Sequence, residues 1–372
     1  MCIRDSNETD DGFAMGSIFC GTYRLLAGTR PDDAAVQIDL QRATERARTP
    51  AERKHLEALK SLVAGNFTDA GQIWDRVASE RRDFSAVRFA HDVYLHVGDA
   101  ERRLRSSQHA FDSWGQAEPG WGLVAGQLSF ALEETGSYAE AEVLGRKALE
   151  LDPLDLWTRH ALAHLYETLD DSDAAFALLS NEQHVWEVQD GLAVHIWWHL
   201  ALRLMATGAY DEALSVFDDQ LTAATTPFRL CDLASLLWRL ELVAVGVGDR
   251  WGVLADRFAQ RPEWHTSGFL DLHAALIYSR SPNHAAAQRF FDGVATSHNE
   301  NTSENDRNFV EVVQPLVAAI RGGESNPAQS AEALASLAAS THRIGGSIAQ
   351  RDLIGLTRGH YEQLSINASE AT

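Results

Sequence analysis

Proline is scarce, 9 residues in 372, and alternating runs of Val, Ile and Thr are nearly absent. The shortage of both helix breakers and strand patterns predicts an all-helical chain. Basic charge is also short, with 32 Lys and Arg against 53 Asp and Glu, a formal net charge of −21. A surface so acidic repels phosphate backbones and anionic headgroups, so no nucleic-acid partner and no membrane partner is expected. The three cysteines, Cys2, Cys20 and Cys231, form no even framework and have no ligand spacing, which points to a reducing, cytoplasmic setting. The most apolar window, Leu192 to Tyr210, is broken by His195, His199 and Arg203, so it predicts a buried helix rather than a membrane span. No glycine-rich phosphate loop, serine elbow or Cys-x-x-Cys pair occurs.

What the chain does have is internal repetition, clearest over residues 121–221. Gly136, Tyr138, Ala141, Ala148 and Pro153 in one stretch, and Trp197, Leu200, Ala201, Gly208, Tyr210, Ala213 and Phe217 in the next, fit one 34-residue template. A first helix carries a large residue, then Leu and a small residue. Gly-x-Tyr makes the turn, and a second helix presents Ala and an aromatic. Small residues let the helices approach, glycine supplies the tight turn, and aromatics fill the seam. This is the tetratricopeptide (TPR) pattern. It predicts a right-handed α-solenoid of stacked helix-turn-helix units, since one unit alone cannot bury its apolar face.

Further units are expected over His55–Ala78, Phe84–Phe111, Leu156–Leu179, Cys231–Phe258 and Gly268–Val294. A helix is also expected from Phe13 to Leu26, with others opening at Pro31 and Pro50. Asn181–Gly191 is predicted to be an insertion and Thr296–Asn308 a polar loop. Helices should follow over Phe309–Arg321, Pro327–Ala339 and His342–Leu364. Residues 1–11 read as a disordered or foreign leader, 12–364 as one solenoid, and 365–372 as a frayed tail. Trp74, Trp114, Trp186, Trp251 and Trp264 read as seam or cap fillers.

In such an array one side of each first helix lines the concave surface. That places Glu133, Glu134, Trp157, His160, His164, Glu167, His195, Trp198, His199, Trp238 and Arg239 in one groove. His91, Asp92, Asp232, His273 and Arg351 are second-rank candidates. His160 and His164 are four residues apart, as are His195 and His199, a spacing that can present two imidazoles to one divalent transition metal. Neither pair is the His-Glu-x-x-His of zinc peptidases, because Ala161 and Ile196 stand in the general-base slot. Near the end, Gly345-Gly346 leading into a helix with Arg351-Asp352 is expected to bring backbone donors and charge to the groove's far end.

Several stretches in one order give the chain a resemblance. Phe89-Ala90-His91-Asp92, Phe130-Ala131-Leu132-Glu133-Glu134-Thr135-Gly136, His160-Ala161-Leu162-Ala163-His164, His195-Ile196-Trp197-Trp198-His199-Leu200-Ala201-Leu202, Leu236-Leu237-Trp238-Arg239-Leu240 and Gly345-Gly346-Ser347 with Gln350-Arg351-Asp352 are similar to the tetratricopeptide repeat protein 38-like family. That resemblance covers nearly the whole chain and implies a soluble helical-repeat protein, without assigning it a reaction. Where the family often has a histidine this chain has Ile348, and the family's helix before Phe13-Ala14-Met15 is missing, as expected for a truncated first unit.

Two functional expectations follow from the residues, beside a third, a purely structural scaffold whose polar groove is incidental. One is a binding scaffold whose His/Trp/Glu groove receives a peptide segment or a small polar ligand. The other is an enzyme in which the same imidazoles and carboxylates perform acid–base or metal-assisted hydrolysis.

Overall fold

Short polar residues set where eight of the helices begin. In the computed structural model, which describes residues 12–187, 192–224, 226–261, 265–297 and 302–370, the side chains of Asp33, Asp83, Asp99, Asp155, Asp171 and Thr226 each accept a backbone N–H of the helix that follows. Thr49 with Glu52, and Ser303 with Asp306, complete reciprocal capping boxes. Gly65, Gly98, Gly136 and Gly208 close the turns between paired helices with positive φ.

The helices are α1 (Ala14–Leu26), α2 (Ala34–Arg46), α3 (Pro50–Val63), α4 (Phe67–Arg81), α5 (Phe84–His96), α6 (Ala100–Ser113), α7 (Trp121–Glu133), α8 (Tyr138–Leu151), α9 (Leu156–Thr168) and α10 (Ser172–Leu179). Then come α11 (Gln183–Trp186), α12 (Ala193–Ala206), α13 (Tyr210–Asp219), α14 (Pro227–Leu242), α15 (Arg250–Ala259), α16 (Gly268–Arg280) and α17 (Ala287–Thr296). The chain ends with α18 (Glu304–Asn308), α19 (Gln314–Gly322), α20 (Pro327–Leu337) and α21 (Ile348–Glu370). A π-helical turn, Phe309–Val313, precedes α19, and there is no strand among the described residues. The fold is all-α, with most consecutive helices packed on one another.

Several details differ from the sequence expectations, and the helix expected from His342 begins only at Ile348, after the positive-φ pair Gly345-Gly346. Asp33, not Pro31, starts the second helix. The segment read as a polar loop is helical from Glu304 because of its capping box. The insertion contains the short helix α11, whose Trp186 is fully buried and donates its Nε1–H to Leu179 O at 3.1 Å. Helical backbone also continues to Glu370, past the point where fraying was expected. Residues 1–11 and Trp264 lie outside the described residues.

First helices of successive pairs touch: α1 with α3, and α5, α7, α9, α12, α14 and α16 in series. Their burial is uneven in an informative way. Outer helix α8 buries only Ala141, Gly145 and Ala148, the stripe expected of a surface helix, whereas α7 buries ten consecutive residues from Val124 to Glu133. Helices α9, α12, α14 and α16 are likewise buried on nearly every side. An open array would leave the concave side of these helices wet, so something covers it.

The cover comes from the chain itself. Helix α21 crosses the inner side against α9 and α14, burying Leu353, Ile354, Thr357 and Tyr361. The two ends of the repeat series also meet. Glu304 accepts from Thr68 N at 2.7 Å and from Thr68 Oγ1 at 2.5 Å, Asn305 N donates to Gly65 O at 3.0 Å, and Thr266 Oγ1 donates to Gly28 O at 2.6 Å. The turn at Gly98 packs directly on the backbone of His342, and Gly345 on that of His96.

Candidate ligand chamber and histidine cluster

Closure leaves a half-open chamber of about 830 Å³. Its walls come from both ends of the chain: Tyr23 and Leu26 of α1, Arg88 and Leu95 of α5, Phe130 of α7, Trp157 of α9, Phe228 of α14, Phe269 of α16 and the Ile344–Ser347 segment. The polar part of the lining includes His160, His164 and His195, with Arg88, Asp92, Arg229, Thr226, Ser347 and Gln350. The cations are already matched. Arg88 holds Asp92 with two contacts of 2.9 and 2.5 Å while stacking its guanidinium 3.5 Å above the Trp157 ring. Arg229 holds Asp232 at 3.0 Å.

At one end of the chamber the four histidines converge. The i, i+4 spacing puts His160 and His164 on one face of α9, and His195 and His199 on the facing side of α12. His160 Nε2 and His164 Nε2 are 2.8 Å apart. Between helices, ring centroids lie 4.9 Å apart for His160 and His195 and 4.3 Å for His164 and His199. One ring nitrogen from each of the four lies within 4.8 Å of the others. All four rings are buried, which pushes their pKa values below the usual histidine value; nearby imidazoles lower those of His160, His164 and His199 further. The result is neutral imidazoles, two of which, His160 and His164, share a hydrogen bond between their Nε2 atoms.

Two of the four are backed by buried carboxylates. His195 Nδ1 lies 3.0 Å from Asp232 Oδ1, off the straight line of an ideal hydrogen bond, and its ring stacks on Trp198 at 5.1 Å. Asp232 is held below the usual carboxylate range by His195 and Arg229, which together outweigh the opposing effect of its burial. On the other flank, His164, Glu133 and Glu134 bring one ligand atom each within 4.8 Å of one another. Glu133 accepts from Thr168 Oγ1 at 2.7 Å, and burial followed by the charge of Glu134 pushes its pKa up to about 8. Glu134 accepts from Ile348 N at 2.7 Å and pairs with Arg103 at 3.2 Å, so it ties the start of α21 to the cluster. Neither ring nitrogen of His199 has a hydrogen-bond partner, and His164 Nδ1, Glu133 Oε2 and Trp198 Nε1 also lack one.

The sequence-predicted residues therefore separate into groups. Glu133, Glu134, His160, His164, His195, Trp198, His199 and Asp232 come together. Arg351 joins their edge, 3.8 Å from Glu134 and donating to Gly346 O. Asp92 reaches the chamber through its pairing with Arg88. Glu167 instead forms a bidentate pair with Arg203 at 2.6 and 2.7 Å. Trp238 donates to Thr357 Oγ1 at 2.8 Å, while Arg239 binds Asp352 at 2.5 Å and Ala349 O at 2.9 Å. These two groove residues hold the protein's own last helix. His91 lies 3.4 Å from Ser107 Oγ, and His273 Nδ1 donates to Phe269 O at 2.8 Å, so both serve helix packing.

Tyr23, Arg88, Phe228 and Phe269 were missed by sequence reasoning as chamber residues. Arg88 had a readable sign, its i, i+4 placement before Asp92. The others reach the chamber only because the array closes. No family model matches the chain.

Proposed function

We propose that this protein is a helical-repeat binding protein that holds a small organic ligand, with an apolar or aromatic body and a polar end, in its half-open chamber. The observation carrying this reading is the 830 Å³ chamber itself, a volume within the roughly 300–1,000 Å³ range of small-molecule sites. Apolar and aromatic walls around a few converging polar groups suit such a ligand. A peptide lying along the groove would compete with α21, which already occupies the Trp238 and Arg239 positions. In this reading the helix pairs are TPR-like units of a right-handed array, the family resemblance stands, and the protein works in the cytoplasm. No helix among the described residues is long and apolar enough to cross a membrane.

Native mass spectrometry of gently purified protein, together with titration of a naphthalene-based fluorescent probe, tests this proposal. One retained small molecule or one saturable probe site per chain is expected. Val194 lines the chamber, so Val194→Trp should fill part of it and weaken probe binding at least about ten-fold with the fold intact. A bare chain that binds no probe would contradict the proposal. The second reading, a metal-assisted hydrolase, draws on the histidine cluster at the chamber wall.

A further inference from the structure

We propose that His160, His164, His195 and His199 bind one late first-row divalent transition-metal ion, of the zinc type, at the end of the chamber. The donor set is four neutral nitrogens, a chemistry that suits zinc, copper and nickel and disfavours magnesium and calcium, which prefer oxygen. Tetrahedral zinc with bonds near 2.0–2.1 Å places its nitrogens about 3.4 Å apart. The four candidate nitrogens lie within 4.8 Å of one another and the Nε2 atoms of His160 and His164 are 2.8 Å apart, so small ring movements in both directions complete the shell.

The surroundings match a metal centre more closely than a packed cluster of rings. A ligating histidine characteristically donates its second ring N–H to a carboxylate or carbonyl, which fixes the tautomer and aims the free lone pair inward. Asp232 stands at His195 Nδ1 in that role and is itself steadied by Arg229, which leaves Nε2 for the ion. Glu133 and Glu134 stand beside His164, whose Nδ1 has no hydrogen-bond partner. The unpartnered nitrogens of His199 complete the case. Two buried ring nitrogens without partners are costly, and a bound cation satisfies one of them while orienting the other. His160, His164 and His195 also line the chamber, so the ion faces it and can take a donor atom from a chamber ligand as a further coordination partner. The metal site requires no such ligand, so failure of probe binding leaves this inference standing, and failure of metal binding leaves the chamber reading standing.

The test is calorimetric titration of the chelator-treated full chain with Zn²⁺, paired with Co²⁺ absorption spectroscopy. The expected result is one ion per chain and the intense visible bands of tetrahedral cobalt. His199→Gln keeps a polar side chain in place and should weaken binding at least about 100-fold. Asp232→Asn should weaken it about 10–100-fold by loosening an orienting contact. Absence of saturable one-to-one binding, or equal affinity in His199→Gln, would overturn the proposal. Should His199→Gln fail to fold, anomalous scattering from wild-type crystals soaked in Zn²⁺ decides: a peak among the four rings supports the site, and a peak elsewhere or none refutes it.

Discussion

Acidification from about pH 7.5 to about pH 5.5 should lower the melting temperature by roughly 10 °C or more. The cause is a set of buried neutral histidines. His91, His160, His164, His195, His199 and His273 all have their pKa values depressed, chiefly by burial, and that of His273 falls to about 4. In the unfolded chain each returns to about 6.5. Below that pH the unfolded chain binds protons that the folded one refuses. The stability is therefore present above about 6.5 and is lost as pH falls toward the folded values. Groups of opposite sign soften the slope. Glu133, with a pKa of about 8, is already protonated in the fold, and burial also raises Asp92, Asp155 and Glu167. Even two net protons correspond to about 3 kcal/mol per pH unit, against a total stability of about 5–15 kcal/mol. Scanning calorimetry across this range checks the expectation, and a flat melting temperature would contradict it.

Gly98→Ala should destabilise the protein far more than the same change at other turns. A Cβ at Gly98 would sit 1.8 Å from the carbonyl oxygen of His342, and one at Gly345 would sit 2.3 Å from that of His96. Both are rigid backbone atoms, one at the end of α5 and one in the segment before α21, so the added methyl forces these segments apart. Gly136 and Gly208 provide the control. Their φ values of +87° and +79° resemble the +68° of Gly98, but nothing lies within 4 Å of an added Cβ. Alanine there bears only the left-handed backbone penalty, about 1–2 kcal/mol. At Gly98 and Gly345 the total should reach about 3–5 kcal/mol. Chemical denaturation of the four variants measures the difference, and equal losses at all four would show that these segments do not meet.

The contrast among these glycines also shows what was readable in the sequence. Gly136 and Gly208 are legible as turns, because the flanking Gly-x-Tyr pattern is local. The extra duty of Gly98 is not, since its neighbour is a backbone carbonyl about 240 residues away that carries no residue identity. The same holds for Gly65 O and Gly28 O, which accept the closing hydrogen bonds. The histidine cluster was legible because helical spacing and repeat register place His160, His164, His195 and His199 together without any long-range knowledge. The fate of Trp238 and Arg239 was only half legible. Leu353, Ile354, Thr357 and Tyr361 form an apolar stripe with helical spacing, but that stripe does not say which surface it will cover.

All of this rests on the repeat series turning back on itself to form the chamber, and small-angle X-ray scattering of the monomer tests that shape directly. A closed chain of 372 residues should give a radius of gyration of about 21 Å. An open row of helix pairs spaced about 8–10 Å apart would extend roughly 90 Å and give about 28 Å. A value near 21 Å is the predicted result, and one near 28 Å would contradict the closure that forms the chamber.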